Sequence, residues 1–484
     1  MVLLSSAAVL GALICLVYSW RALLEDSVVR GFWLLVASAG LAVLGLLAKE
    51  TAALLLVYAL CIYYFLNEFE RPASFVWRRL VPWVLWVGIA AFIVVVFIGW
   101  DRLIDDYLIR EFTLVERLLS QPRALLDYAL QTVIPKPASL GLFHDDFAIS
   151  HSVFDPLSTF WAICFWFIAL LAAIYARTKG VALPLVLLCW YLGGHSVEAS
   201  ALALELYFEH RNYLPSLAVW VAIVALSVWL WRDYIQPNRR KVFVFIAAAY
   251  AAVILAISVT TNILWGDPAR LAYLYSEERS GSIRARALKI DLYQQVGEVD
   301  RAFSELIRLE EDFRGELAPQ LLAVEFDCFY EGRFNRGLTE DVVDAAKSAR
   351  YSNGALAAVE SLIELEFKGN GCDNFSEKDL IDLVDSFGEN PKYKRKYAML
   401  HGFAARISWE SGSLDQALAR LLEHKGGSFQ NDQMLVVLLA TMHRYQEAVD
   451  LIKVMRSVYP FEVELQADYF DKLEAEIKLD IEVN

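Results

Sequence analysis

Beyond Asp267 the chain contains no stretch long or apolar enough to cross a bilayer, which takes roughly 20 residues, and up to Asn262 it is a series of hydrophobic blocks. That unevenness divides the 484 residues into a membrane half and a soluble half. After Trp265 there is also no strand-like alternation of any length, which excludes a sheet there. The first residues carry neither a basic n-region nor a small-residue cleavage site, so no cleaved signal peptide is read. The apolar blocks contain few mid-span charges and few Gly/Pro breaks, which argues against a transporter. Cysteine is scarce. Cys15, Cys61, Cys164 and Cys189 lie in apolar blocks, where they pack. Cys328 and Cys372 lie in the soluble half and allow one disulfide, although their spacing does not demand it. Basic charge is in deficit: the net charge is −14, and nearly all the excess acid follows Asn262. That argues against nucleic acid as a partner of the soluble half.

What is present is mostly apolar. The chain is 57% hydrophobic with a mean hydropathy of +0.41, above the range of soluble globular chains. Eight spans are predicted, at residues 2–20, 32–48, 51–66, 81–99, 158–176, 181–195, 213–231 and 242–262. Every second connection is basic. Arg21 and Arg30 follow the first span, Arg71, Arg78 and Arg79 the third, Arg177 and Lys179 the fifth, and Arg232, Arg239, Arg240 and Lys241 the seventh. These connections are expected on the cytoplasmic side. The remaining connections then face outward: the Lys49-Glu50 corner, the segment 100–156, the segment 195–214 and the whole soluble half. The count also puts Met1 outside, which leads to the expectation that an odd number of spans precedes it and that the chain starts at an internal Met.

Lys49 and Glu50 interrupt an apolar run with no Gly, Pro or Asn turn around them. They mark a tight outer hairpin or a helix end dipping into a wet cavity, and ionisable groups at that depth are usually functional. Residues 103–133 have helical apolar spacing broken by Glu116, Arg117, Arg123 and Asp127, predicting one or two interfacial amphipathic helices that end at Pro135 and Pro137. The stretch "GLFHDDFAISHS" follows. Its His144, Asp145 and Asp146 have the donors to hold a divalent cation beside a phosphate leaving group, or simply to cap a turn. The stretch "FEHRNYLPSL" puts Glu209, His210, Arg211 and Tyr213 at the entry of the seventh span, where an Arg suits a lipid phosphate.

In the soluble half three stretches share a helix–turn–helix pattern in which a small residue follows the turn by about five positions. They are marked by Tyr293, Gly297 and Ala302; by Ala405, Gly412 and Ala417; and by Tyr445, Ala448 and Pro460. The third, "MHRY", lacks the turn glycine. The pattern resembles the tetratricopeptide repeat, whose arrays bind partners on a concave face.

Taken together, the "LLAKETA" corner, the "LFHDDF" loop, "EHRNYLPSL" at a span start and the carboxy-terminal repeats resemble one family. It is the polytopic glycosyltransferases of the GT-C fold that carry tetratricopeptide repeats, relatives of the transmembrane O-mannosyltransferases. The resemblance covers nearly the whole chain. It implies an all-α architecture: a transmembrane bundle over 1–265 and a soluble helical solenoid over 266–484. It also implies transfer of a sugar from a polyprenyl-phosphate donor to a protein or glycan acceptor at the outer face, with a divalent cation, Mg or Mn, as cofactor. Lys49 and Arg211 would meet the donor phosphate, with Glu50, Glu209, His210 and Tyr213 as supporting groups. His144, Asp145 and Asp146 would be catalytic, the two carboxylates holding the cation. The expected setting is a bacterial inner membrane with the repeats in the periplasm. The family keeps its principal catalytic acid in a first outward loop that has no counterpart here, in line with the expected upstream spans. A membrane-anchored repeat scaffold without enzymatic activity is the alternative.

Overall fold

The structure is a computed structural model. It describes the chain except residues 26, 70–82, 84–85, 92, 95–97, 99–103, 137–142, 331, 369–370 and 484. Every regular element among the described residues is a helix, with one isolated bridge between Ser152 and Asp155. Two compact units divide the chain, Met1–Leu292 and Tyr293–Asn484.

Among the described residues of the first unit, five helices are long and apolar enough to cross a membrane: Val2–Ala22, Val28–Ala48, Leu157–Thr178, Ser216–Asp233 and Pro237–Trp265. Two further apolar helices, Glu50–Leu66 and Leu183–Gly194, are shorter. The expected span at 81–99 lies mostly outside the described residues. The last span has no buried residue, and Val242, Phe245 and Leu255 are well exposed. Such a stripe is stable against lipid and costly against water.

Helices α1 (Val2–Leu24) and α2 (Val28–Ala48) pack through small residues. Ala8, Ala12, Ser38 and Gly45 are buried along them, and Ser38 Oγ donates to the Ala12 carbonyl at 3.0 Å. Without a hydrophobic drive between lipid-embedded helices, close backbone approach and a shared hydroxyl supply the cohesion. Helix α2 stops at Ala48. Lys49 is extended (φ −164°, ψ 139°), and a 3-10 turn, Glu50–Leu54, leads into α3 (Leu55–Phe69). A Cβ on Gly45 would stand 3.1 Å from Cβ of Ala52, so the small residue lets the corner fold back on α2.

The amphipathic stretch forms a 3-10 turn, Asp106–Ile109, and helix α4 (Leu114–Val133). Thr113 and Glu116 close a capping box at its start. Helices α5 (Leu157–Thr178) and α6 (Leu183–Gly194) follow, then α7 (Ser216–Asp233) and α8 (Arg240–Trp265). The unit closes with α9 (Pro268–Glu278) and the start of α10 (Ile283–Gln295), so its boundary lies beyond the last span. The reason is local: Asp145 and Asp146 hold the segment between α9 and α10.

In the second unit three turns repeat one geometry. Gly297, Gly412 and His443 have φ of +76°, +80° and +59°. The next residue's amide donates back to the helix at 2.8 Å in each case: Glu298 to Tyr293, Ser413 to Ser408 and Arg444 to Leu439. These are left-handed helix ends closed by a six-residue hydrogen-bonded loop. Five positions on, Ala302, Ala417 and Ala448 are fully buried. The turn that lacks glycine therefore keeps the same backbone, with His443 in the left-handed region. Between these pairs, Leu317–Phe329, Glu340–Ala346, Asn353–Lys368 and Glu377–Glu389 share one apolar core. Cys328 and Cys372 are joined there in a disulfide. Beside it the buried Asp327 carboxylate accepts from the amides of Phe334 and Arg336 and from Asn374 Nδ2.

Candidate functional site

The site begins with how residues 195–212 are held. This stretch has little regular structure, so its carbonyls need partners from elsewhere. Arg117 on α4 serves four of them. Its side chain is fully buried, and its guanidinium donates to the carbonyls of Glu198, Ser200, Leu204 and Glu205. Burial pushes its guanidinium down to about 10, so it stays charged at neutral pH. Further along α4, Tyr128 Oη receives the Phe208 amide at 2.6 Å, and Asp127 accepts from Tyr207 Oη at 2.7 Å. Asn212 Nδ2 donates to the Tyr128 carbonyl and to Thr132 Oγ1. Helix α4 is thus the scaffold on which the stretch is laid down.

A short 3-10 turn, Glu209–Asn212, ends the stretch and aims two side chains in different directions. Arg211 reaches the Lys49 corner. Glu198 lies between them: Lys49 Nζ is 3.7 Å from Oε1 and Arg211 Nε is 3.9 Å from Oε2. All three side chains are largely buried. Both separations exceed hydrogen-bond length, so the carboxylate is held by charge without directed bonds. Arg211 also donates from Nη1 to the Glu205 carbonyl at 2.6 Å and lies over the Phe208 ring.

These groups open onto a cleft of about 320 Å³, counting the solvent at its opening. Lys49, Glu198, His210, Arg211 and Tyr213 line it, with Tyr58 from α3. The Tyr58 hydroxyl is buried without a hydrogen-bond partner. Gly194, the last residue of α6, permits this packing, because a Cβ there would collide with Tyr58 Oη and Pro215.

Charge in the cleft is set by environment. Burial, then the cations Lys49 and Arg211, push the His210 imidazole down to about 4, so it is neutral at pH 7. Burial also raises the Glu198 carboxyl, outweighing the opposing pull of Arg211 and Lys49. With Glu198 ionised, two cations and one anion leave a single positive charge.

Glu209, the other product of the 3-10 turn, points to the His144 loop. Its Oε1 lies 2.6 Å from Nε2 of His144, a ring that is almost fully buried and packs on Tyr207 at 4.8 Å. The neighbouring carboxylates face away, toward residues 279–284. Asp145 accepts from Ser282 Oγ at 2.5 Å and from the Arg284 amide at 3.4 Å. Asp146 pairs with Arg279 Nη1 at 3.2 Å. A divalent cation shared by both carboxylates would have to displace these partners.

Three of the four charged stretches read from the sequence therefore meet on one element. Lys49, Arg211, His210 and Tyr213 share the cleft. His144 joins them only through Glu209. Asp145 and Asp146 belong to the anchoring of α9 and α10. Glu50 is exposed and does not line the cleft. Sequence reasoning passed over Glu198, Arg117, Tyr128 and Tyr58. Glu198 lies in a loop with no periodicity, and Arg117 reads as one more charge on an amphipathic helix. The comparisons with family models, with characterised proteins and with solved structures found no match to this chain.

Proposed function

We propose that the cleft between Lys49 and Arg211 receives the phosphate of a polyprenyl-phosphate-linked sugar, and that the chain is a membrane glycosyltransferase acting on a protein or glycan acceptor at the outer face. One observation carries this reading. Two cations from distant parts of the chain converge, at the end of membrane-length helices, on a buried anion that neither hydrogen-bonds. A phosphodiester carries one negative charge, like the carboxylate whose place it would take between the two cations. Its oxygens accept directed bonds from Arg and Lys, as charge-assisted contacts do best. Val2, Leu54 and Leu214 on the cleft wall offer apolar contacts to a polyprenyl chain. In this reading the buried His144–Glu209 pair positions the turn that presents Arg211.

The helix pairs of the second unit are read as tetratricopeptide-like repeats that hold the acceptor. Their three identical turns, each followed by a fully buried alanine, support that assignment. The Cys328–Cys372 disulfide supports an oxidising compartment for this unit, in keeping with a periplasm. The same repeats favour a second reading, a membrane-anchored scaffold that recruits partners without catalysis.

The test is binding of a polyprenyl phosphate to the full chain in lipid nanodiscs, followed by sugar transfer. Lys49→Gln and Arg211→Gln should each weaken binding by roughly 10-fold or more, the worth of a charge-assisted bond. Wild-type affinity in both variants would overturn the phosphate assignment. Normal binding with no transfer to any protein or glycan acceptor would favour the scaffold.

A further inference from the structure

A hairpin in the second unit, formed by Tyr397–Glu410 and Leu414–Glu423, carries a polar group that the proposed function does not use. His401 stands on its first helix, Glu423 ends the second, and His424 caps it. The two imidazole rings lie 4.0 Å apart between centroids, inclined at 53°. Nδ1 of His401 is 3.7 Å from Oε2 of Glu423. One donor atom from each of the three residues falls within 4.8 Å of the others.

Nδ1 of His401 is buried and has no hydrogen bond, an unfavourable state for a ring nitrogen. An unprotonated ring nitrogen offers a metal its lone pair. The nearby cation that would oppose a metal is already neutralised: Arg420 is gripped by both oxygens of Asp385, at 2.5 and 2.7 Å. The turn beyond His424 is also fixed. Gly426 takes φ +81°, and its amide donates to the buried Asp432 carboxylate. Glu423 is the exposed member, with 67% of its side chain accessible to solvent.

We infer that His401, Glu423 and His424 form a site for one zinc ion, which clips the two helices of this hairpin together and leaves a fourth position open to water or to a group on a bound partner. The donor set decides the metal class. Two imidazoles and one carboxylate suit zinc, whereas calcium and magnesium take oxygen ligands. Tetrahedral bonds of about 2.0–2.1 Å require donors about 3.3 Å apart. The 3.7 Å between Nδ1 of His401 and Oε2 of Glu423 is already near that spacing, and side-chain rotation at Glu423 and His424 would complete the approach. All three ligands come from one hairpin, so the clip acts within a single repeat and owes nothing to the phosphate cleft.

The test uses the tag-free full chain in detergent, stripped with a chelator and titrated with zinc chloride alone. One equivalent per chain is expected by elemental analysis, with a rise in Tm. Cobalt(II) in its place should give the visible bands of a tetrahedral ion. His401→Gln and His424→Ala should each lower zinc affinity by about 100-fold, at or beyond what loss of an outer-shell partner does. Glu423→Gln, at an exposed side chain that leaves folding intact, should lower it about 10-fold. Absence of stoichiometric binding at micromolar zinc overturns the site, and so does binding that all three variants retain.

Discussion

Lys49 and Arg211 share one counter-ion: the Glu198 carboxylate stands between them at 3.7 and 3.9 Å. Neither contact is a hydrogen bond, so the carboxylate is a displaceable anion in the place proposed for a phosphate. An incoming phosphate must compete with it.

Glu198→Gln removes that competitor while keeping the side-chain shape. Phosphate affinity should rise by about 10-fold, since each screened charge contact is worth on the order of 1 kcal/mol. The pH dependence has a definite sign. Burial raises the Glu198 carboxyl above its usual range. As pH falls through that raised value the carboxyl takes up a proton and both cations are released. His210, pushed down to about 4, stays neutral over the same interval. Affinity for a phosphodiester should therefore increase as pH falls below neutral through the raised value of the carboxyl, and Glu198→Gln should flatten the profile. A flat wild-type profile would sink the counter-ion role.

Arg117 does not line the cleft, yet its loss should empty it. Arg117→Leu leaves the carbonyls of Glu198, Ser200 and Leu204 without their donor, while Glu205 keeps its bond from Arg211. The expected destabilisation is about 3 kcal/mol, visible as a lowered Tm in detergent. The loop carrying Glu198 should then become open to limited proteolysis, and polyprenyl-phosphate binding should fall with it. Binding that survives a released loop would separate the scaffold from the site.

The three matched turns of the second unit make a stability series. Gly412 is left-handed, and a Cβ there would meet nothing within 4 Å, so Gly412→Ala probes backbone strain alone. It should cost about 1 kcal/mol. His443 already bears that strain, offset in part by the 2.7 Å contact of its Nδ1 with Tyr445 Oη. His443→Gly should be neutral or stabilising by a few tenths of a kcal/mol. Chemical unfolding of the three proteins in parallel settles the order.

Cys328 and Cys372, 44 residues apart, close a loop whose entropy corresponds to about 4 kcal/mol in the chain-entropy account. Peptide mapping without reductant should recover the linked pair. Reduction should lower the Tm of the second unit and expose the loop that Asp327 holds. Free thiols in protein isolated under alkylating conditions would remove the argument for an oxidising compartment.

Much was legible before any fold was known. Hydropathy located the five membrane-length helices among the described residues, since length and composition alone decide whether a helix suits a bilayer. The helical periodicity of residues 103–133 pointed to α4, and the charges at Lys49 and at Glu209–Arg211 marked the ends of helices. The small residue five positions beyond each turn picked out three helix–turn–helix stretches with matching turns, even where His443 replaces glycine. These signals are local, carried by a period of 3.6 residues or by one turn. The tertiary structure alone decided which charges meet. Glu198 lies between Lys49 and Arg211 because Arg117 folds an aperiodic loop back under them. His144 turns to Glu209 while Asp145 and Asp146 turn to Ser282 and Arg279. Consecutive residues on a short turn diverge, and a pairing across more than a hundred residues depends on the path of the chain between them, which no local pattern records.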